Sequence, residues 1–280
     1  MVPPPTQLLR EGMGVTDQVN SGSLRMTWSR APWDEVVCGY PVLQVTHMQV
    51  LGADAARDIS AFERARDEVG AGLVSCRLPH DCLRESMLLE DHGFRFIEMM
   101  YQPEIALSGF PVDVQENELS VSRATDDDMP FLLEVARTAF RNERFWMDPR
   151  IARGVSDKRY QNWVASSQQH ASQELHVVRD MGQTIAFFVL EVMSDGICYW
   201  HLTALAPGAQ GKGYGRRVWS AMLEYAARRG ARRVRTSIAA RNVRVLNLYA
   251  GLGFRFLPPT MTLHWVRRDE TRAPGSGVGT

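Results

Sequence analysis

Three glycines alternate through Gln210-Gly211-Lys212-Gly213-Tyr214-Gly215. They lie between the apolar run His201-Leu202-Thr203-Ala204-Leu205-Ala206 and a helical pattern over Arg216 to Arg229. Such a strand, glycine-rich turn and helix start aims backbone N–H groups and the positive end of a helix dipole at one place. That chemistry suits a phosphate. The spacing is neither G-x-x-x-x-G-K-[ST] nor G-x-G-x-x-G, so a P-loop and a dinucleotide fingerprint are both excluded. Gly213 and Gly215 let the backbone come close to a pyrophosphate and take dihedrals that side chains forbid. Gln210 and Lys212 stand at the entrance, and Arg216 at the helix start.

The turn fits Gln-x-x-Gly-x-Gly and resembles the pyrophosphate-binding turn of the GNAT acyl-CoA-dependent N-acetyltransferases. A second segment points the same way. Asn242-Val243-Arg244-Val245-Leu246-Asn247-Leu248-Tyr249, followed by Gly253-Phe254, looks like Asn-x-x-Ala-x-x-Leu-Tyr…Gly-Phe, with Val245 in place of the usual small residue. The resemblance implies acetyl-CoA as co-substrate, gripped by Gln210, Gly211, Lys212, Gly213, Tyr214, Gly215 and Arg216. It implies that Thr203, Ala204 and Leu205 pair with pantetheine like a strand, and that a backbone N–H there polarises the thioester carbonyl. Ordinary sheet pairing is the alternative for these three. Asn242 would bond the pantetheine. Tyr249, two helical turns later on the same face, would protonate the departing thiolate. A half-buried core tyrosine is the alternative.

The proton acceptor stays open at this level. His201 on the strand and Glu191 at the end of the preceding one could each draw a proton from an ammonium, and each could be structural. A Ser or Cys nucleophile lacks a supporting motif: there is no G-x-S-x-G and no Cys-His signature. The seven histidines are scattered without H-x-x-x-H spacing, so no metal is expected.

On the acceptor side, Arg144-Phe145, Asp148-Pro149 and Tyr160…Trp163 resemble a segment of the TDP-fucosamine acetyltransferase group within the GNAT family, with Glu143 where that group has Ser. The resemblance implies an amino-sugar acceptor carried on a nucleotide diphosphate, with Arg144 on a phosphate and aromatics such as Phe145 stacking on base or sugar. The alternative is that these residues only fix a loop. Other readings are a protein, peptide or other small-amine acyltransferase, and a non-catalytic acyl-CoA-binding module. A homodimer would be usual for such enzymes.

The elements that position these groups follow from periodicity. Leu119 to Arg123 reads as a strand, Thr125 as an N-cap before three aspartates, and Ser156 to Ser166 as a helix. Leu175 to Arg179 and Thr184 to Val192 read as strands around the turn Asp180-Met181-Gly182. Ile197 to Ala206 enters the glycine turn. Val234 to Ile238, a helix over Val243 to Leu252, and strands Phe254 to Leu257 and Met261 to Val266 complete the domain. The fold class is α/β (α+β): a mixed, splayed central sheet of GNAT type over 118–268.

Gly93-Phe94-Arg95-Phe96 repeats as Gly253-Phe254-Arg255-Phe256. The elements before each copy also match: helix Ala53 to Val69, strand Leu73 to Cys76, helix Asp81 to Asp91. Residues 21–110 therefore read as a partial, degenerate GNAT-like domain. Its turn counterpart, Gln49 to Ala53, holds only Gly52, and Leu89 stands where Tyr249 would be. A linker is expected over Ser108 to Asn117, and disordered tails over 1–20 and 269–280.

With 280 residues, 45% hydrophobic and 23% charged, the composition is that of a globular protein. Lys+Arg 32 against Asp+Glu 32 leaves no net charge, which speaks against nucleic acid as partner. No apolar run nears the ~20 residues of a membrane span, and Met1 to Asn20 lack a signal-peptide pattern. Cys38, Cys76, Cys82 and Cys198 show no pairing pattern, so reduced thiols and a cytoplasmic location are expected.

Overall fold

The computed structural model describes residues 16–108 and 119–267. The expected linker thus lies almost wholly outside the described residues, as do residues 1–15 of the expected N-terminal tail and the whole of the expected C-terminal one. The chain forms two compact units. One holds the described residues up to Phe96 and those from Thr262 onward; the other runs from Ile97 to Met261.

The first unit begins with strands β1 (Asp17–Asn20) and β2 (Leu24–Arg30), so order starts within the segment expected as a tail. Helix α1 (Pro32–Cys38), strand β3 (Val42–Val50), short helices α2 (Ala55–Asp58) and α3 (Ser60–Glu68), strand β4 (Leu73–Pro79) and helix α4 (Leu83–Asp91) follow. Strands β1, β2 and β3 are antiparallel neighbours, and β3 runs parallel to β4. Strand β5 (Arg95–Ala106) leaves this unit after Phe96.

In the second unit, β6 (Leu119–Arg123) precedes helices α5 (Met129–Ala139), α6 (Arg144–Met147) and α7 (Arg153–Ser167). Strands β7 (Gln173–Asp180), β8 (Gln183–Val192) and β9 (Ile197–Leu205) lead to helix α8 (Tyr214–Arg228). Strands β10 (Arg233–Thr236) and β11 (Ile238–Ala239), helix α9 (Val243–Gly251) and strand β12 (Arg255–Val266) close it. The sheet order is β6-β7-β8-β9-β10-β5: antiparallel as far as β9, parallel between β9 and β10, antiparallel again to β5. This is the mixed α/β sheet expected of the sequence.

Both faces of this sheet are covered, which is why β8 reads as an unbroken apolar run over Ile185–Leu190 rather than an alternating one. Phe187 packs with Leu132, Val135 and Val164 of α5 and α7. Phe188 packs with Trp200, Trp219 and Met222 on the α8 face. Thr125 forms a capping box with Asp128, whose carboxylate also accepts from Arg179 at 2.7 Å. Two expected C-terminal strands are one, β12, which passes through Pro258 and Pro259. Proline's fixed φ is compatible with extended backbone; only its missing donor is costly.

The two units share local geometry. Phe94 N donates to Leu89 O and Phe254 N to Tyr249 O, both at 3.0 Å. The N-caps of α4 and α9, Cys82 and Asn242, have φ/ψ of −77/61 and −82/61. Gly93 and Gly253 have φ of +87 and +86.

Candidate active site

The site is built around strand β9. Its pairing with β8 runs to Ala186↔Leu205, whereas its pairing with β10 stops at Trp200↔Thr236. Beyond Thr236 the chain turns to β11, which pairs with β5 instead. The edge of β9 over residues 201–205 is therefore open on the β10 side, with unpaired backbone groups available to an extended ligand. Thr203, Ala204 and Leu205 all lie on this open stretch.

After β9, Pro207–Ala209 make one 3-10 turn, and Gln210 returns to extended backbone at φ −69, ψ 143. Gly211 and Gly213 both lie in the left-handed region, at φ +76 and +80. A Cβ at either position would meet nothing within 4 Å, so conformation and not crowding demands glycine there. Gly213 is the N-cap of α8 and supplies no side-chain cap. The first N–H groups of a 15-residue helix thus stay open for an anion. Lys212 is exposed beside them.

Other turn residues hold the geometry. Gln210 Nε2 donates to Leu205 O at 3.2 Å, closing the loop on the strand it leaves. Arg216 donates to Gly251 O at 2.8 Å and so secures the last turn of α9. The Tyr214 hydroxyl donates to Asp180, tying the turn to the β7–β8 hairpin, and that bond raises the phenol's pKa.

Helix α9 brings the other two residues in. Asn242 bonds through its backbone only, donating to Ala239 O at 2.9 Å and accepting from Leu246 N at 3.0 Å. Its side-chain amide caps nothing and has no partner among the described residues. Tyr249 is 1% exposed and stands edge-on to Phe254 at 4.8 Å. Burial pushes its phenol above the usual range, while Trp219, Thr203 and Thr236 oppose the shift. Thr203 lies on the open edge of β9, and Thr236 ends β10, donating to Trp200 O at 2.8 Å. The phenol therefore sits where β9 and β10 part.

On the face covered by α5 and α7, the loop Glu143–Ile151 is pinned by Asp148, which is 1% exposed and accepts from Arg150 at 2.8 and 2.9 Å. Phe145 is fully buried, with the guanidinium carbons of Arg144 and Arg159 each 4.8 Å from its ring. It offers no face for stacking on a ligand; it supports the two arginines. The neighbouring Tyr160 phenol is pushed far up by burial, with Glu143 and Glu98 adding to the shift and Arg159 and Arg144 opposing it. Two buried arginines and two carboxylates thus surround one aromatic floor. The sequence pointed to Arg144 and Phe145 but not to Arg159 or Glu98. Glu98 arrives on β5, far away in the chain, and no local pattern announces it.

The first unit repeats part of this frame. Strand β3 parts from β4 after Val45↔Cys76, as β9 parts from β10. There, however, the carboxylate of Glu85 takes the N–H of Val50 at 2.8 Å. Leu89, fully buried, stands at the position of the phenol, and the acidic Asp54 is the N-cap of α2.

A parallel strand pair that parts, an uncapped helix behind a left-handed glycine turn and a phenol at the fork are the features that the resemblance to acyl-CoA-dependent transferases implies. Residues 134–254 match the model of the Acetyltransferase (GNAT) family, and the chain carries an acetyltransferase domain of that family. It is 27% identical over 128 residues to the spore coat polysaccharide biosynthesis protein SpsD of Bacillus subtilis (strain 168), a match over 45% of this chain and 44% of that protein. A GCN5-related N-acetyltransferase from Sphaerobacter thermophilus superposes with a TM-score of 0.60 at 13% identity, over 92% of this chain and 84% of that one. A tandem GNAT protein from the clavulanic acid biosynthesis pathway gives 0.59 at 13% identity, over 91% and 84%. These two likenesses concern the fold. Among the described residues, no helix is long and apolar enough to cross a membrane, and no group of three or more His, Cys, Asp or Glu is arranged to hold a metal.

Proposed function

We propose that the second unit transfers the acetyl group of acetyl-CoA to the primary amine of a small molecule, with an amino sugar, free or nucleotide-linked, as the leading acceptor. The observation that carries the reading is the fork at Trp200↔Thr236, with the Tyr249 phenol at its apex and the uncapped start of α8 beyond it. The turn Gln210–Gly215 holds the pyrophosphate on backbone N–H groups, with Lys212 as counter-charge. Thr203–Leu205 and the free amide of Asn242 hold the pantetheine. A backbone N–H of the open β9 edge polarises the thioester carbonyl as negative charge develops on its oxygen. Tyr249, kept protonated by burial, gives its proton to the thiolate sulfur.

The acceptor side supports a polar ligand bearing both charges. Arg144 and Arg159 suit a phosphate or sugar hydroxyls, and Glu98 and Glu143 suit an ammonium. The name of the B. subtilis relative, a polysaccharide biosynthesis protein, favours a sugar. The first unit, with Glu85 on the strand N–H and no phenol, is a degenerate copy that takes no acyl-CoA. The test is thiol release from acetyl-CoA with a panel of free and nucleotide-linked amino sugars. Release with one of them and none with peptides supports the reading. Release with peptides alone overturns the acceptor assignment.

A further inference from the structure

We propose that His201, oriented by Glu191, is the group that takes the proton from the acceptor ammonium; this deepens the reading above and rests on it. The argument begins with the strand. The register between β8 and β9 passes from Val189↔Leu202 to Leu190↔Trp200, so His201 is the extra residue of a β-bulge at the fork. A bulge breaks the alternation of faces and re-aims a side chain. Trp200 stays on the α8 face, while Leu202 packs with α5 and α7. His201 turns to the same side as Leu202: its ring lies 4.9 Å from Tyr199 and 6.1 Å from Trp163 of α7. Tyr249 approaches from the α8 face. The imidazole thus stands on the α5 and α7 side of β9, and the phenol belongs to the core on the α8 side.

The bulge belongs to the scaffold, and the histidine is specific to this unit. In the first unit the register slips between Thr27 and Trp28, leaving Thr46 as the extra residue. Thr46 is engaged with Thr27 at 2.9 Å. The copy that lacks the phenol also lacks the imidazole.

Hydrogen bonding fixes which nitrogen can act. His201 Nε2 lies 3.0 Å from Glu191 Oε2 and donates to it when the ring is neutral. Nδ1 then carries the lone pair, and it accepts nothing among the described residues. An ammonium N–H bond breaks, its electron pair stays on nitrogen, and the proton forms Nδ1–H. The imidazolium is held by the Glu191 carboxylate, which is partly exposed and opens a route for the proton to solvent. The further proton lost from nitrogen as the amide forms balances the one that Tyr249 gives to sulfur. The charged and titratable groups around the ring are Glu191 from β8, Tyr199 from β9, His170 beside Glu191, and Arg159, whose guanidinium carbon lies 5.3 Å from the Trp163 ring.

The experiment is the pH profile of kcat/KM between about pH 5 and 8, with UDP-glucosamine as acceptor and thiol release as readout. It is run on the wild type, His201→Gln and Glu191→Gln, and acetyl-CoA affinity is measured on each sample by calorimetry. The wild type loses rate on the acidic side as the imidazole is protonated. His201→Gln falls by about 10²–10⁴-fold and loses that acidic limb, with acetyl-CoA affinity unchanged. Glu191→Gln retains part of the rate, because the imidazole has lost its orienting acceptor and counter-charge. A purely structural histidine would leave the limb in place. A limb that persists in His201→Gln, or a full rate in Glu191→Gln, overturns the assignment while the acyl-CoA site stands. Failure of the wild type itself to bind acetyl-CoA overturns both.

Discussion

Tyr249 and the turn glycines carry the sharpest expectations at the scale of single residues. Tyr249→Phe removes one hydroxyl from a fully buried ring and leaves its packing on Phe254 intact. Turnover is expected to fall by about 10²–10⁴-fold, while calorimetry shows acetyl-CoA affinity nearly unchanged. Unaltered turnover would remove the phenol from the mechanism. Burial raises its pKa, so the acid stays protonated across the neutral range and no alkaline loss of rate should arise from it below the usual tyrosine range. Gly213 and Gly215 separate conformation from access. At φ +80, Gly213→Val forces a β-branched side chain into the left-handed region, at a cost of about 1–2 kcal/mol or more. It should also abolish acyl-CoA binding. Gly215 is helical, and a Cβ there would make an ordinary contact with Leu248 at 3.5 Å. Gly215→Ala should therefore raise stability, by about 0.4–1 kcal/mol, yet weaken acetyl-CoA binding by crowding the open helix start. A melt and a titration on the same sample check both signs.

At the scale of elements, the capping box before α5 ties helix, strand and acid sensitivity together. Desolvation works to raise the Asp128 carboxyl, but its bonds with Thr125 and Arg179 win and hold it below the usual carboxylate range. A depressed folded pKa contributes stability above the unfolded value near 4, and that contribution is lost as the pH falls through the folded value. Asp128→Asn should cost about 1–2 kcal/mol at neutral pH. It should also flatten the acid limb of stability below about pH 4, as read by urea melts across pH. Much at this scale was legible in the sequence. Thr125 before three aspartates announced the cap. The glycine run announced the turn, but the unusual dihedrals expected at Gly213 and Gly215 fall on Gly211 and Gly213, with Gly215 already helical; the Asn242…Tyr249 spacing placed both residues on α9. The fork was legible only through the family resemblance, because Thr203–Leu205 by themselves look like any buried strand. What opens their edge is the departure of the chain after Thr236 toward β5, a distant partner. The bulge at His201 was hidden for the same reason: register belongs to a pair of strands and not to one. Met181 at φ +46 shows the converse, a turn expected from its glycine that also places a non-glycine residue in the left-handed region.

At the scale of the whole chain, the repeated Gly-Phe-Arg-Phe string led to the expectation of two related units, and the caps and hydrogen bonds around the two copies match locally. Their limits were not legible. A boundary near 108–117 follows from composition, whereas the compact units divide at Phe96/Ile97 and Met261/Thr262. The strand that completes the second sheet, β5 from Ile97, precedes the composition break and pairs with β10 through Ala106↔Arg233. A fragment spanning 118–268 would leave the edge of β10 bare. It should unfold at lower temperature and aggregate more readily than one spanning 97–268, as thermal melts and light scattering would show. Equal behaviour of the two fragments would mean that β5 is dispensable to that sheet.

One titration tests the central claim, that the second unit alone grips acyl-CoA through the turn and the forked strands. Acetyl-CoA is titrated calorimetrically into the full chain and into its Gly213→Val variant. The account predicts one site per chain and no binding to the variant. Two sites, or undiminished binding to Gly213→Val, would contradict it.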